Sequence, residues 1–110
     1  MQFVDTRALE IKEPLPGWRG RFFDSERFTF GHYEIVAGAR ILEHSHPNEE
    51  VRHVIEGELE VTIVGVTRVA APGFVAIVTP DTHDSVRART NGCAIVVESP
   101  LRAAIGGVKL

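Results

Sequence analysis

A period of two runs through this sequence and restricts its fold more than any other feature. Leu59, Val61 and Ile63 alternate with Glu58, Glu60 and Thr62. Such alternation puts one face of a strand in a core and the other in water. Two apolar runs, at residues 74–78 and 93–98, have the length and composition of buried strands. Turn chemistry falls between these segments: Ala37-Gly38, Pro47-Asn48, Glu56-Gly57, Gly65, Pro72-Gly73, Thr79-Pro80-Asp81 and Asn91-Gly92. Helical periodicity is nearly absent, with one weak helical turn expected near residues 5–11. Strands are expected from about residue 28 onward. Many short strands separated by turns imply an all-β sandwich or barrel.

The 110 residues suit one domain, 1–110, with its barrel at about 30–102 and an aromatic-rich segment at 1–29. Apolar residues are 44% and charged residues 25%, which supports a core and argues against disorder. The net charge of −3, with no block of Arg and Lys, gives no nucleic-acid footprint. No apolar run approaches the ~20 residues of a membrane helix. The first residues show no basic segment followed by an apolar stretch, so no secretory signal is read. Cys93 is the single cysteine and has no internal disulfide partner. A cytoplasmic protein is expected. Phe3, Trp18, Phe22, Phe23, Phe28, Phe30 and Tyr33 crowd into the first third of the chain. They suit packing at a sheet face or a dimer interface, or, for Trp18 and Phe22, the wall of a ligand pocket. Glu56, Glu58 and Glu60 read as a solvated edge, and Cys93 as a small buried strand residue.

The five histidines are unequal. His44 and His46 are two apart, so on a strand both imidazoles reach one point. Pro47-Asn48 turns the chain, and Glu50 opens the next strand with a carboxylate. Imidazole and carboxylate suit Zn, Fe, Mn, Ni or Cu, and a site of two His and one carboxylate leaves coordination positions open. Arg52 shares a strand face with Glu50. It suits a bidentate clamp on a substrate carboxylate, or a surface salt bridge to the neighbouring glutamates. His32 and His53 read as surface or supporting residues.

Gly38, five residues, His44, one residue, His46, three residues, Glu50, six residues and Gly57 resemble the first motif of the cupins at every defined position. The second motif is altered. Counted from Gly73, Thr79 stands where Pro is expected, Asp81 where Gly is expected, and Asp84 where a metal-binding His is expected. His83 comes one residue early. Two phases are open. With Asp84 inward, Val86 and Ala88 are inward and Ser85, Arg87 and Arg89 face water. With His83 inward, Ser85 and Arg87 enter the barrel and a bulge is needed. A third outcome is that neither binds. The resemblance implies a double-stranded β-helix, a jelly-roll barrel that commonly forms homodimers, with a divalent metal of unspecified identity (Zn, Mn, Fe or Ni) at His44, His46, Glu50 and His83 or Asp84. Within cupins, residues 44–50, 56–61 and 98–102 look like the small pectin-degradation cupins. That likeness implies a small polar or sugar-acid ligand and isomerase or dioxygenase chemistry. The alternatives are a cupin that binds without turnover and a metal-free structural dimer. No nucleic acid or membrane partner is expected.

Overall fold

The structure, a computed structural model, describes residues 2–102. Met1 and residues 103–110, which the sequence reading includes in the one domain, lie outside the described residues. Ten strands follow in chain order: β1 (Ile11–Leu15), β2 (Trp18–Asp24), β3 (Thr29–Ile35), β4 (Arg40–His44), β5 (Glu49–Glu56), β6 (Leu59–Ile63), β7 (Val66–Ala70), β8 (Val75–Val78), β9 (Asp84–Ala88) and β10 (Gly92–Ser99). They form two antiparallel sheets, β1-β2-β3-β10-β5-β8 and β4-β9-β6-β7. This is the jelly-roll arrangement of an all-β barrel. The expected helical turn is a single 3-10 turn at Thr6–Ala8. No helix among the described residues is long and apolar enough to cross a membrane.

Pairing starts earlier than the alternation suggests. β1 and β2 lie within the segment read as preceding the barrel, and they extend the larger sheet. The dry face of β2 carries Trp18, Gly20 and Phe22, so a glycine breaks its apolar pattern. Space explains that glycine: a Cβ on Gly20 would lie 2.6 Å from Phe22 Cζ. The Phe22 and Tyr33 rings meet edge to face there, 5.4 Å apart, as do Trp18 and Tyr33 at 5.8 Å. Pro14 hides β1 in the same way, yet a proline is tolerated because β1 is an edge. β8 differs in the opposite sense. Residues 74–78 read as a buried run, but β8 is also an edge, and Ile77 is 57% exposed.

The core lies between the sheets. Leu59 and Val61 of β6 are buried, as are Val86 and Ala88 of β9, while Glu60 and Arg87 pair on the wet face at 3.1 Å. Burial of Leu59, Val61 and Val86 contributes roughly 1.5–3 kcal/mol each, and the Ala88 methyl less. Gly57 ties the β5–β6 turn to the β9–β10 turn. Its φ is +78°, and a Cβ there would sit 2.3 Å from the Asn91 carbonyl oxygen. Gly65 has a similar φ, +77°, but open space around it. Alanine at Gly65 is therefore expected to cost about 1 kcal/mol from the backbone alone. Alanine at Gly57, where a backbone clash adds to the same strain, is expected to cost at least about 3 kcal/mol. Urea denaturation of the two variants side by side measures the difference.

Candidate metal centre

Four strands and one loop carry polar side chains into the same end of the barrel. β4 ends at His44, and His46 follows in the connection to β5. The two histidines therefore do not share a regular strand, as the i, i+2 reading assumes, because Pro47 and Asn48 already bend the chain. They still meet, with ring centroids 5.6 Å apart. The loop is held from outside. The His46 carbonyl accepts from the Asp81 amide at 2.9 Å, and the buried Asn48 side-chain amide donates to the Pro100 carbonyl. His44 Nδ1 donates to the Leu42 carbonyl at 3.0 Å, which leaves Nε2 as the free lone pair.

Glu50 and Arg52 occupy inward positions of β5, each only 3% exposed. Arg52 Nη2 is 2.8 Å from Glu50 Oε2, and Arg52 Nη1 is 3.8 Å from Asp84 Oδ2. Arg52 thus bridges two buried carboxylates and makes no surface salt bridge. Asp84 is buried beside His44, its Oδ1 3.8 Å from His44 Nε2, whereas His83 is exposed and offers its backbone carbonyl to Val64. The strand phase is the one with Asp84, Val86 and Ala88 inside. His32 and His53 are apart from the cluster. His32 Nε2 lies 3.1 Å from Cys93 Sγ on the outer side of the larger sheet. Burial first, then Glu56 and Glu34, push the Cys93 thiol up, so it is not an activated nucleophile.

A residue that spacing alone does not single out joins the group. Glu98 pairs directly across from Glu50 in the β10–β5 ladder. One donor atom each from His46, Glu50 and Glu98 lie within 4.8 Å of one another, and all three residues are buried. The signal was present in the alternation of Ala94, Val96 and Glu98, which sets Glu98 on the dry face. Arg102 Nη1 approaches Glu98 at 3.4 Å, and the Arg102 amide is anchored to Thr29 Oγ1.

The electrostatics follow from burial. Burial alone would raise the Glu50 carboxyl, but the Arg52 guanidinium and His46 outweigh it and hold Glu50 below its ordinary value. Asp84 is raised by burial despite Arg52, with Glu50 adding to the effect. Glu98 is pushed up to about 7 by burial and by the facing Glu50. Five buried polar atoms in the cluster have no aligned hydrogen-bond partner: His46 Nδ1, Glu50 Oε2, Arg52 Nε, Arg52 Nη1 and Asp84 Oδ2. Unsatisfied buried groups are costly, and their convergence suits a cation held by the imidazoles and carboxylates and an anion met by Arg52.

Comparison with known proteins follows the same geometry. A family profile described as "Cupin domain" matches residues 31–99. An RmlC-like cupin from Shewanella frigidimarina superposes with a TM-score of 0.84 at 25% identity, covering 91% of each chain. KdgF from Halomonas sp. gives 0.86 at 20% identity, covering 93% of this chain and 96% of that one. Ectoine synthase from P. lautus gives 0.78 at 21% identity over 92% and 79%. No curated protein matches the sequence.

Two outcomes are expected of the metal-free protein. Arg52→Met leaves two buried carboxylates without their cation and costs roughly 3–5 kcal/mol in urea denaturation. The second concerns pH. Glu98 holds its proton more tightly folded than unfolded, so its stabilising contribution is complete below about 4.5 and is lost as pH rises through about 7. Stability measured from pH 5 to pH 8 therefore falls more steeply in the natural protein than in Glu98→Gln.

Proposed function

The chain belongs to the cupin domain family, and on that footing we propose that it holds a divalent metal and takes the carboxylate of a small ligand inside its barrel. One observation carries this reading: five buried polar atoms without an aligned hydrogen-bond partner converge from β5, β9 and the β4–β5 loop. His44, His46, Glu50 and Asp84 are the proposed metal ligands, with Glu98 as a further carboxylate beside His46 and Glu50. Zn, Mn, Fe and Ni all accept mixed imidazole and carboxylate donors, and an aspartate in the fourth place shifts the preference toward Mn and Fe. A bound divalent ion supplies Lewis acidity, polarising a hydroxyl or carbonyl of the ligand.

The protein's own groups do the positioning. Arg52 keeps Nη2 on Glu50 and Nη1 facing Asp84, which leaves Nε–H as the donor open to a ligand carboxylate. Trp18, Tyr33, Ile41 and Val96 wall the gap beside it. The gap is about 10 Å³, near the least that holds one water. It therefore suits the head of an acid better than a whole sugar ring. Glu98 is a carboxyl that gains or loses a proton near neutral pH at the edge of the same cluster. These parts suit metal-assisted isomerase- or oxygenase-type chemistry. The small gap and the Arg52 ion pair also favour a second reading, a cupin that binds its ligand without turnover.

A homodimer is part of the proposal. Phe23, Phe30, Val97, Val51 and Ile77 are successive cross-strand neighbours on the outer face of the larger sheet. This apolar row across five strands supports association with a second copy. Val97→Asp is expected to give a monomer in light scattering after gel filtration, where the natural chain gives a dimer.

The metal is tested by plasma mass spectrometry after loading with Zn, Mn, Fe or Ni. We expect about one ion per chain. The His44→Ala and His46→Ala variants should lose it, Asp84→Ala should weaken it, and His83→Ala should leave it unchanged. Less than stoichiometric metal in the natural protein after all four loadings would remove the metal from the proposal. Stabilisation by a carboxylate ligand with no product by mass spectrometry would select the second reading.

A further inference from the structure

β7 ends the smaller sheet and β8 ends the larger one, and the turn at Ala71, Pro72 and Gly73 joins them. Where these edges part, a cleft of about 250 Å³ opens, lined by Val61, Ile63, Val66, Ala70, Phe74 and Ala76 among others. Arg68 is the one charged residue among the described residues that line it. None of the candidate metal ligands contributes to this lining.

Register explains why an arginine stands there. Val66, Arg68 and Ala70 pair across from Ile63, Val61 and Leu59, and directly opposed residues share a face. Leu59 and Val61 are buried in the core. Arg68 is therefore on the interior face of β7, between Val66 and Ala70, where alternation calls for an apolar side chain. No hydrogen bond or ion pair joins the Arg68 side chain to a described residue. A lone guanidinium on the wall of an apolar cleft complements a molecule with one negative group and an apolar body. At about 250 Å³ the cleft is far larger than the gap beside Arg52 and has room for the apolar body of a small ligand.

We propose that the β7–β8 cleft binds a small amphipathic carboxylic acid, with its carboxylate on Arg68 and its aryl or alkyl body against Val61, Ile63, Phe74 and Ala76. None of the proposed metal ligands lines the cleft, and its occupancy does not require the metal.

The test uses 3-phenylpropanoate and octanoate as probes, with acetate and 3-phenylpropanol as controls, in amide-detected NMR titrations of the full chain. The expected result is saturable shift changes at residues 61–63, 66–70 and 74–76, with a Kd on the order of 1 mM for both acids. Acetate lacks the apolar body and 3-phenylpropanol lacks the charge, so each binds at least about tenfold more weakly. Arg68→Met, a change at an exposed side chain, weakens both acids about tenfold, whereas Arg68→Lys keeps part of the affinity. The same shifts persist in His44→Ala/His46→Ala, so loss of the metal reading leaves this one standing. Absence of saturable shifts at about 10 mM probe, well above that Kd, overturns the proposal. So do equal affinities in Arg68→Met, or shifts that move to the barrel and vanish with the histidines. Shifts that follow protein concentration and not the added probe assign the cleft to a second copy, and also overturn it.

Discussion

The ion pair between Glu50 and Arg52 sets the terms for everything around it. Both side chains are buried, on alternate positions of one strand, in a space otherwise walled by Trp18, Tyr33 and Val96. Removing either charge from water costs several kcal/mol before the pair repays it. The repayment is incomplete, because the local charges do not balance. Glu50, Asp84 and Glu98 face inward, and Arg52 with the more peripheral Arg102 supplies the opposite charge. One negative charge is left over if all three carboxylates ionise. A proton on Glu98 cancels that excess, and a divalent ion among the same oxygens would more than offset it. The raised Glu98 carboxyl is what this competition looks like without the ion.

The fold maintains an arrangement that pairing rules disfavour. Glu50 and Glu98 are direct cross-strand neighbours, and like charges in that position repel. The ladder holds them together because the rest of it is strong. Ala94 and Val96 of β10 are buried beside Val54 and Arg52, and on the other side β10 pairs with β3 along its length. The loop carrying His46 is fixed through Asp81 and Asn48, which lie outside the strands. Strain at the cluster is thus supported by apolar pairing and loop hydrogen bonds outside it. A local conflict held by a well-packed surround marks a functional site more often than a stabilising one.

The features legible in the sequence share one property: they depend on neighbours close in the chain. The alternation at residues 58–63 identified β6 and its wet face. The turn residues divided the strands correctly from Gly38 to Gly92. Alternation on β9 presented two phases, and the choice between them depended on how the 79–83 loop ends, which is a tertiary matter. Gly20 and Pro14 concealed β2 and β1, since a glycine that makes room for Phe22 carries no apolar signal. Glu98 lay outside the local motif because its closeness to Glu50 arises from register between strands far apart in sequence. The fate of Arg52 was hidden for the same reason. One of its partners is two residues away, and the other, Asp84, comes from another sheet.

The cleft and the charged cluster are neighbours across a thin partition. Ala76 lines the cleft and is the direct cross-strand partner of Arg52, and Ile63 lines it and is the partner of Asp84. Alanine is small, so little protein separates the guanidinium from whatever fills the cleft. An apolar body placed there lowers the polarity behind the Arg52–Asp84 contact, which is itself already buried. Lower local polarity strengthens the attraction between those two charges and raises the penalty on any carboxylate left without a partner. Occupancy of the cleft would therefore act on the balance between Arg52 and a metal for the same carboxylates, without touching either.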